Sequence, residues 1–180
     1  MKDYNYDIFR YYGKYKENIK ERLNRPFSLN YIILFRKYNA TNCILKKIYY
    51  KIRLRNSSKK SFIQIPHSVK IGNGFYIGHE GRVIINPNVK IGNNCNIATG
   101  VVIGQENRGK RRGTPIIGNN VWIGANSVLV GNIKIGNDVL IAPLSYINFD
   151  VPDHSIVLGN PAKIIYKENA TENYINRIIK

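Results

Sequence analysis

The sequence is poor in the residues that usually advertise chemistry. Only 2 cysteines and 3 histidines occur in 180 residues. Cys43 and Cys95 lack the spacing of a metal site or of a disulfide framework, so no metal ligand set is expected. Unpaired thiols fit a reducing, cytoplasmic location. Long apolar runs are missing too. The longest, YIILF at Tyr31–Phe35, falls far short of the ~20 residues of a membrane span. The opening stretch is polar and tyrosine-rich, unlike the apolar centre of a signal peptide. Acidic residues are scarce: 11 Asp/Glu face 28 Lys/Arg, a net charge of +17.

What is abundant is isoleucine, glycine and asparagine in a fixed order. From Ile65 the chain divides into sixes: IPHSVK, IGNGFY, IGHEGR, then after two residues INPNVK, IGNNCN and IATGVV. The register resumes at Ile117 with IGNNVW, IGANSV, LVGNIK, IGNDVL, IAPLSY and INFDVP. The first position is Ile or Leu and the fifth is mostly small or apolar. Such a period is wrong for a helix, whose apolar stripe recurs every 3.6 residues. It suits short strands joined at tight corners, where Gly and Asn supply left-handed angles. Three units make a triangular coil, and stacked coils share one aliphatic interior. Cys95, at a fifth position, is expected inside. Every third unit falls on the same face, so Ile77, Ile97, Ile123 and Ile141 should stack. His79, Thr99, Ala125 and Pro143 then form a column along one edge. Across three coils that track is ~14 Å long at the usual strand spacing, suited to a thin, extended ligand.

Four features carry a likeness to a known family. They are the sixes, the eight-residue offset from Ile77 to Ile85, the interruption GQENRGKRRGTP before IIGNNVWIGANSVL, and the closing VPDHSIVLGNPAKII. In these, residues 61–167 resemble the hexapeptide-repeat acyltransferases. The likeness is to their serine acetyltransferase-like branch, which includes enzymes that O-acetylate bacterial surface polysaccharides. The resemblance implies a mainly β, left-handed parallel β-helix and a homotrimer, with acetyl-CoA as co-substrate in the cleft between adjacent prisms. It implies that His79 is the general base that takes the proton of an attacking hydroxyl. It implies that the main chain at Gly124, Ala125 and Pro143 holds the pantetheine arm, with Lys163 and Lys167 at the CoA phosphates.

Two positions depart from the serine enzymes. Gly78 replaces an aspartate before the histidine, and Gln64 replaces one upstream. Loss of both carboxylates argues against serine and toward a sugar hydroxyl of a surface polysaccharide or its precursor. Gln64, Arg111 and Arg112 would then meet that acceptor, the arginines through forks that fit anionic oxygens. Serine O-acetylation is the alternative; an inactive β-helical scaffold is an alternative of another class. A histidine on a polar turn is ordinarily only solvated, and a basic loop such as Gly104–Pro115 ordinarily only mobile. His67 and His154 read as structural.

Residues 1–60 lack the sixes and carry 16 Lys/Arg against 4 Asp/Glu. TNCILKKIYYKIRLRN predicts an amphipathic helix with Ile44, Leu45, Ile48 and Ile52 on one side. An earlier helix includes Tyr31–Lys37. The region is expected to cap the open first coil, to contact an anionic membrane at its cytoplasmic face, or both. No motif for nucleic-acid binding accompanies the charge. Residues 168–180 are expected to form a helical tail.

Overall fold

The computed structural model describes residues 2–179. Four helices lead: α1 (Asp3–Tyr12), α2 (Ile19–Leu23), α3 (Phe27–Ala40) and α4 (Ile44–Ser61). Coils of three short strands follow. The first coil is β1 (Ile63–Gln64), β2 (Lys70–Ile71) and β3 (Tyr76–Ile77), and the second β4 (Val83–Ile85), β5 (Lys90–Ile91) and β6 (Asn96–Ile97). The third is β7 (Val102–Gly104), β8 (Ile116–Ile117) and β9 (Val121–Ile123), and the fourth β10 (Val128–Val130), β11 (Lys134–Ile135) and β12 (Val139–Ile141). A fifth runs from β13 (Tyr146–Ile147) through a bridge of Val151 to Ile135 into β14 (Ser155–Gly159). Corresponding strands pair in parallel into three sheets, and β15 (Ala162–Tyr166) adds antiparallel to β14. The architecture is the expected left-handed parallel β-helix behind a helical region.

Each position of the repeat has a physical reason. First and fifth residues point inward: Ile97, Val101, Val121, Ile123, Val139 and Ile141 are all buried. Burying one such side chain contributes about 1.5–3 kcal/mol. Cys95 is buried among them, and loss of solvation pushes its thiol up to about 12. The second residue is Gly at the corner after sheet β2-β5-β8-β11 because successive coils nearly touch there. A Cβ on Gly92 would lie 2.4 Å from the Gly118 carbonyl oxygen, and one on Gly118 2.5 Å from that of Gly136. The third residue is Asn because it bonds the next corner. The side chains of Asn93, Asn119, Asn137 and Asp153 accept from the main-chain N–H of Asn73, Asn93, Asn119 and Asn137 at 2.7–2.8 Å.

The open end of the coil is closed by α3. Tyr31, Ile32 and Phe35 join the same core as Ile63, Ile65 and Phe75. Helix α1 packs on α3 through Ile8, Leu29 and Ile33. The pair is locked by a buried ion pair, Asp7–Arg36, at 2.9 Å. Asp7 also accepts from Phe75 N–H, and Arg36 donates to the Ile71 carbonyl. Helix α4 uses a different side: Leu54, Ser57 and Ser61 face the body, whereas Ile44, Leu45, Ile48 and Ile52 are exposed.

The tail differs from expectation. Residues 168–179 form turns instead of a helix. Partners elsewhere in the chain fix this segment at several points and draw on its main chain: the Tyr174 and Asn176 carbonyls accept from Asn96 and Arg10. Asp138 accepts from the Ala170 and Thr171 N–H groups and the Thr171 hydroxyl. Tyr174 packs edge-on to Trp122, with ring centroids 5.0 Å apart. Ile179 and Asn94 exchange two hydrogen bonds of 3.1 Å. The tail thus runs as a strap down the outer face of sheet β3-β6-β9-β12.

Candidate active site

The strap, the sheet and α1 enclose a cavity of about 530 Å³. His79 stands at its rim, on the corner that leaves β3. The column predicted from the repeat is present: Ile77 pairs with Ile97, Ile97 with Ile123, and Ile123 with Ile141. His79 therefore heads the track of Thr99, Ala125 and Pro143.

The main chain at His79 is held from three directions. Tyr11 of α1 donates its hydroxyl to the Ile77 carbonyl at 2.8 Å and accepts from the Ile77 N–H at 3.2 Å. Burial pushes that phenol well above its usual range. Glu80 accepts from the Phe27 N–H at the start of α3. The Gly81 N–H donates to Ser61 at the end of α4. Gly81 itself, with φ 144°, is required: a Cβ there would meet the Thr99 hydroxyl. The helices, besides capping the core, thus fix the turn that carries the imidazole.

Ring orientation is another matter. The histidine–carboxylate pair found among the described residues is His154–Asp138, at 2.9 Å near the far end of the coil. Gln64 lies on β1, exposed and paired through its main chain with Ile84. Gly78 has a local reason: a Cβ there would come within 3.1 Å of the Tyr76 ring. The space into which a side chain at 78 would extend is filled by Tyr76.

The cavity carries charge of one sign. Arg10 and Arg177 line it, and among the described residues no carboxylate side chain does. Arg10 is buried, yet its guanidinium bonds only neutral oxygens: Asn176 O, Gly74 O and Asn96 Oδ1. Burial pulls it below its usual range. Arg177 reaches the main chain of α1 at Arg10 and Tyr11. Tyr76, Asn96 and Trp122 supply the floor and Tyr174 part of the roof. These residues escaped the sequence reading, although the floor had a signal. Tyr76, Asn96 and Trp122 occupy the sixth position of their units, where the neighbouring face has Lys70, Lys90 and Lys134. Arg10 and Arg177 had none, being 167 positions apart.

The other expected residues lie along the same edge or away from it. The Gly124 N–H is spent on Ile141 O, and the Ala125 carbonyl accepts from Leu144. The Ala125 N–H has no main-chain partner among the described residues. Pro143 is exposed one coil further on. Lys163 on β15 and Lys167 just after it are exposed at the end of the same sheet. From β3 to β15 there are five strand steps, about 24 Å. Arg111 and Arg112 do not meet His79 within the chain. Their loop folds on itself through a Glu106–Gly113 bridge, and Arg111 pairs with Asp150 at 3.6 Å.

The family described as bacterial transferase hexapeptide (six repeats) matches residues 114–148. The serine acetyltransferase of Helicobacter pylori is 32% identical over 134 residues, covering 73% of this chain and 78% of that one. Serine acetyltransferase 2 of Arabidopsis thaliana is 40% identical over 105 residues, 57% of this chain. The chain spans only 32% of the length of that plant relative. Among solved structures, Neisseria gonorrhoeae serine acetyltransferase in complex with serine superimposes with a TM-score of 0.73 at 27% identity, over 91% of this chain and 68% of that one. The Brucella abortus serine acetyltransferase in complex with coenzyme A shares the fold, with a TM-score of 0.71 at 21% identity over 91% and 66%.

These likenesses overturn the expected acceptor. A sugar hydroxyl of a surface polysaccharide, and with it a place in polysaccharide biosynthesis, was inferred from the missing carboxylates at 64 and 78. The named relatives are all serine acetyltransferases. The two positions say what the site lacks; they do not report the two guanidinium groups it has instead.

Proposed function

Because the chain belongs to the hexapeptide-repeat acyltransferases, in their serine acetyltransferase-like branch, we propose that it transfers the acetyl group of acetyl-CoA to the hydroxyl of serine. The identity to the Helicobacter pylori enzyme over 78% of that enzyme's length carries this reading. His79 takes the hydroxyl proton as the oxygen attacks the thioester carbonyl, and the proton then passes to the departing CoA sulfur. A base is needed because a neutral alcohol is a poor nucleophile near pH 7. Acetyl-CoA lies along the edge track, with its pantetheine arm near the Ala125 N–H and Pro143. Its phosphates lie toward Lys163 and Lys167. The site is completed in a homotrimer, where Arg111 and Arg112 reach a neighbouring prism.

The acceptor is gripped by its carboxylate. The cavity beside His79 offers Arg10 and Arg177 and, among the described residues, no acidic side chain, so it matches the anionic end of an amino acid and ignores the ammonium. CoA release is the assay. Serine and 3-hydroxypropionate, which lacks the ammonium, are expected to turn over comparably. Ethanolamine, which lacks the carboxylate, is expected to fall by about a hundredfold, the loss of a charge-assisted pair. Equal rates with ethanolamine overturn the grip. No turnover with any of the three, together with no thermal stabilisation by saturating CoA, overturns the enzyme reading in favour of an inactive scaffold.

A further inference from the structure

Helix α4 presents an apolar surface that nothing among the described residues covers. Ile44, Leu45, Ile48 and Ile52 are 73%, 78%, 52% and 57% exposed. At 100° per residue they occupy an arc of about 100°. Leu54, Ser57 and Ser61, which face the body, lie on the opposite side. The apolar face is therefore turned away from the core. Capping of the first coil does not explain it, since α3 performs that task. A second apolar pair adjoins it: Ile19 and Leu23 of α2 are each 79% exposed. Arg22 of α2 and Arg53 of α4 line one groove, so the two helices edge the same side of the molecule.

Charge decides what can cover this face. Helix α4 carries seven Lys/Arg and no Asp/Glu in its 18 residues. Lys51 flanks the apolar arc on one side and Lys60 on the other. Two copies related by a two-fold axis through this face would bring two such helices together, and like charges oppose that contact. An anionic bilayer surface complements both components: lipid headgroups take the basic flanks and the acyl boundary takes the isoleucines. No helix among the described residues is long and apolar enough to cross a membrane. We propose that α4, assisted by α2, lies flat on an anionic lipid surface and holds the protein there as a peripheral protein. This does not depend on the acceptor or on His79.

Co-sedimentation of the full chain with vesicles tests it. Vesicles of phosphatidylcholine containing phosphatidylglycerol are expected to carry the protein down, and salt to release it. Phosphatidylcholine alone should not. The triple variant Ile44→Ser, Ile48→Ser, Ile52→Ser is expected to stay in the supernatant. The double variant Lys51→Glu, Lys60→Glu should bind at least about fivefold more weakly per residue changed. Both variants should keep the wild-type melting temperature and CoA release, since the changed residues are remote from the pocket. Undiminished binding by the triple variant overturns the proposal, as does equal binding to uncharged vesicles. So does a wild type that ignores both vesicles and loses an oligomeric state in the triple variant, which would make the face a contact between copies.

Discussion

His79 is an exposed side chain on a rigid turn. Its main chain is pinned through Tyr11, Glu80 and Gly81, while its ring has no carboxylate partner among the described residues. Replacing it by Ala removes the proton acceptor and leaves the packing intact. The expected result is a fall in kcat of about 10² to 10⁴ with an unchanged melting temperature. A variant that keeps full turnover removes His79 as the base. The residue was legible because the repeat placed it in the Ile77 column. What the repeat could not show is that Tyr76 fills the space at position 78, or that Arg10 faces the same cavity. Those depend on side-chain volumes and on a helix with no periodic relation to the coil.

At the scale of elements, the coil was legible because each position of the six has one geometric duty. The Ile stack, the glycines where carbonyls approach, and the asparagines that bond the next corner all repeat with it. The helices were legible only in part, since amphipathicity reports that a face exists and not what covers it. Helix α3 buries its residues and α4 exposes its own. The join between α1 and α3 combines the contact of Ile8 with Leu29 and Ile33 and one ion pair, Asp7–Arg36, at which both side chains are nearly inaccessible. Removing one partner of such a pair leaves the other buried and uncompensated, which costs about 3–5 kcal/mol. Asp7→Ala should destabilise by that amount in urea denaturation. Residual folded protein should show a raised acceptor KM, because α1 carries Arg10 into the pocket. A cost below about 1 kcal/mol, the level of an exposed pair, would mean that the helices are held by apolar packing alone.

For the molecule as a whole, the strap ties the last coils to the first helices. It begins at Asp138, passes Trp122 and ends on Asn94 and α1. Its expected helix was wrong because the pull comes from scattered partners, which a sequence window cannot register. Burial alone would raise the Asp138 carboxyl. Hydrogen bonds from Thr171, His154 and Ala170 outweigh that and hold it below the usual range. A carboxyl depressed on folding stabilises the structure fully above its unfolded value of about 3.9. That contribution fades as pH falls through the lower folded value. Acid should therefore release the strap at its Asp138 end. Trp122, the single tryptophan, reports the event through its contact with Tyr174. Its emission should shift to the red in a step below pH ~4. Asp138→Asn is the informative variant, because the residue sits at φ 53°, which Asn tolerates and Ala does not. It keeps an acceptor for Thr171 but cannot titrate, so the acid step should vanish while the neutral spectrum stays close to wild type. An unchanged step in Asp138→Asn would show that other groups govern the strap.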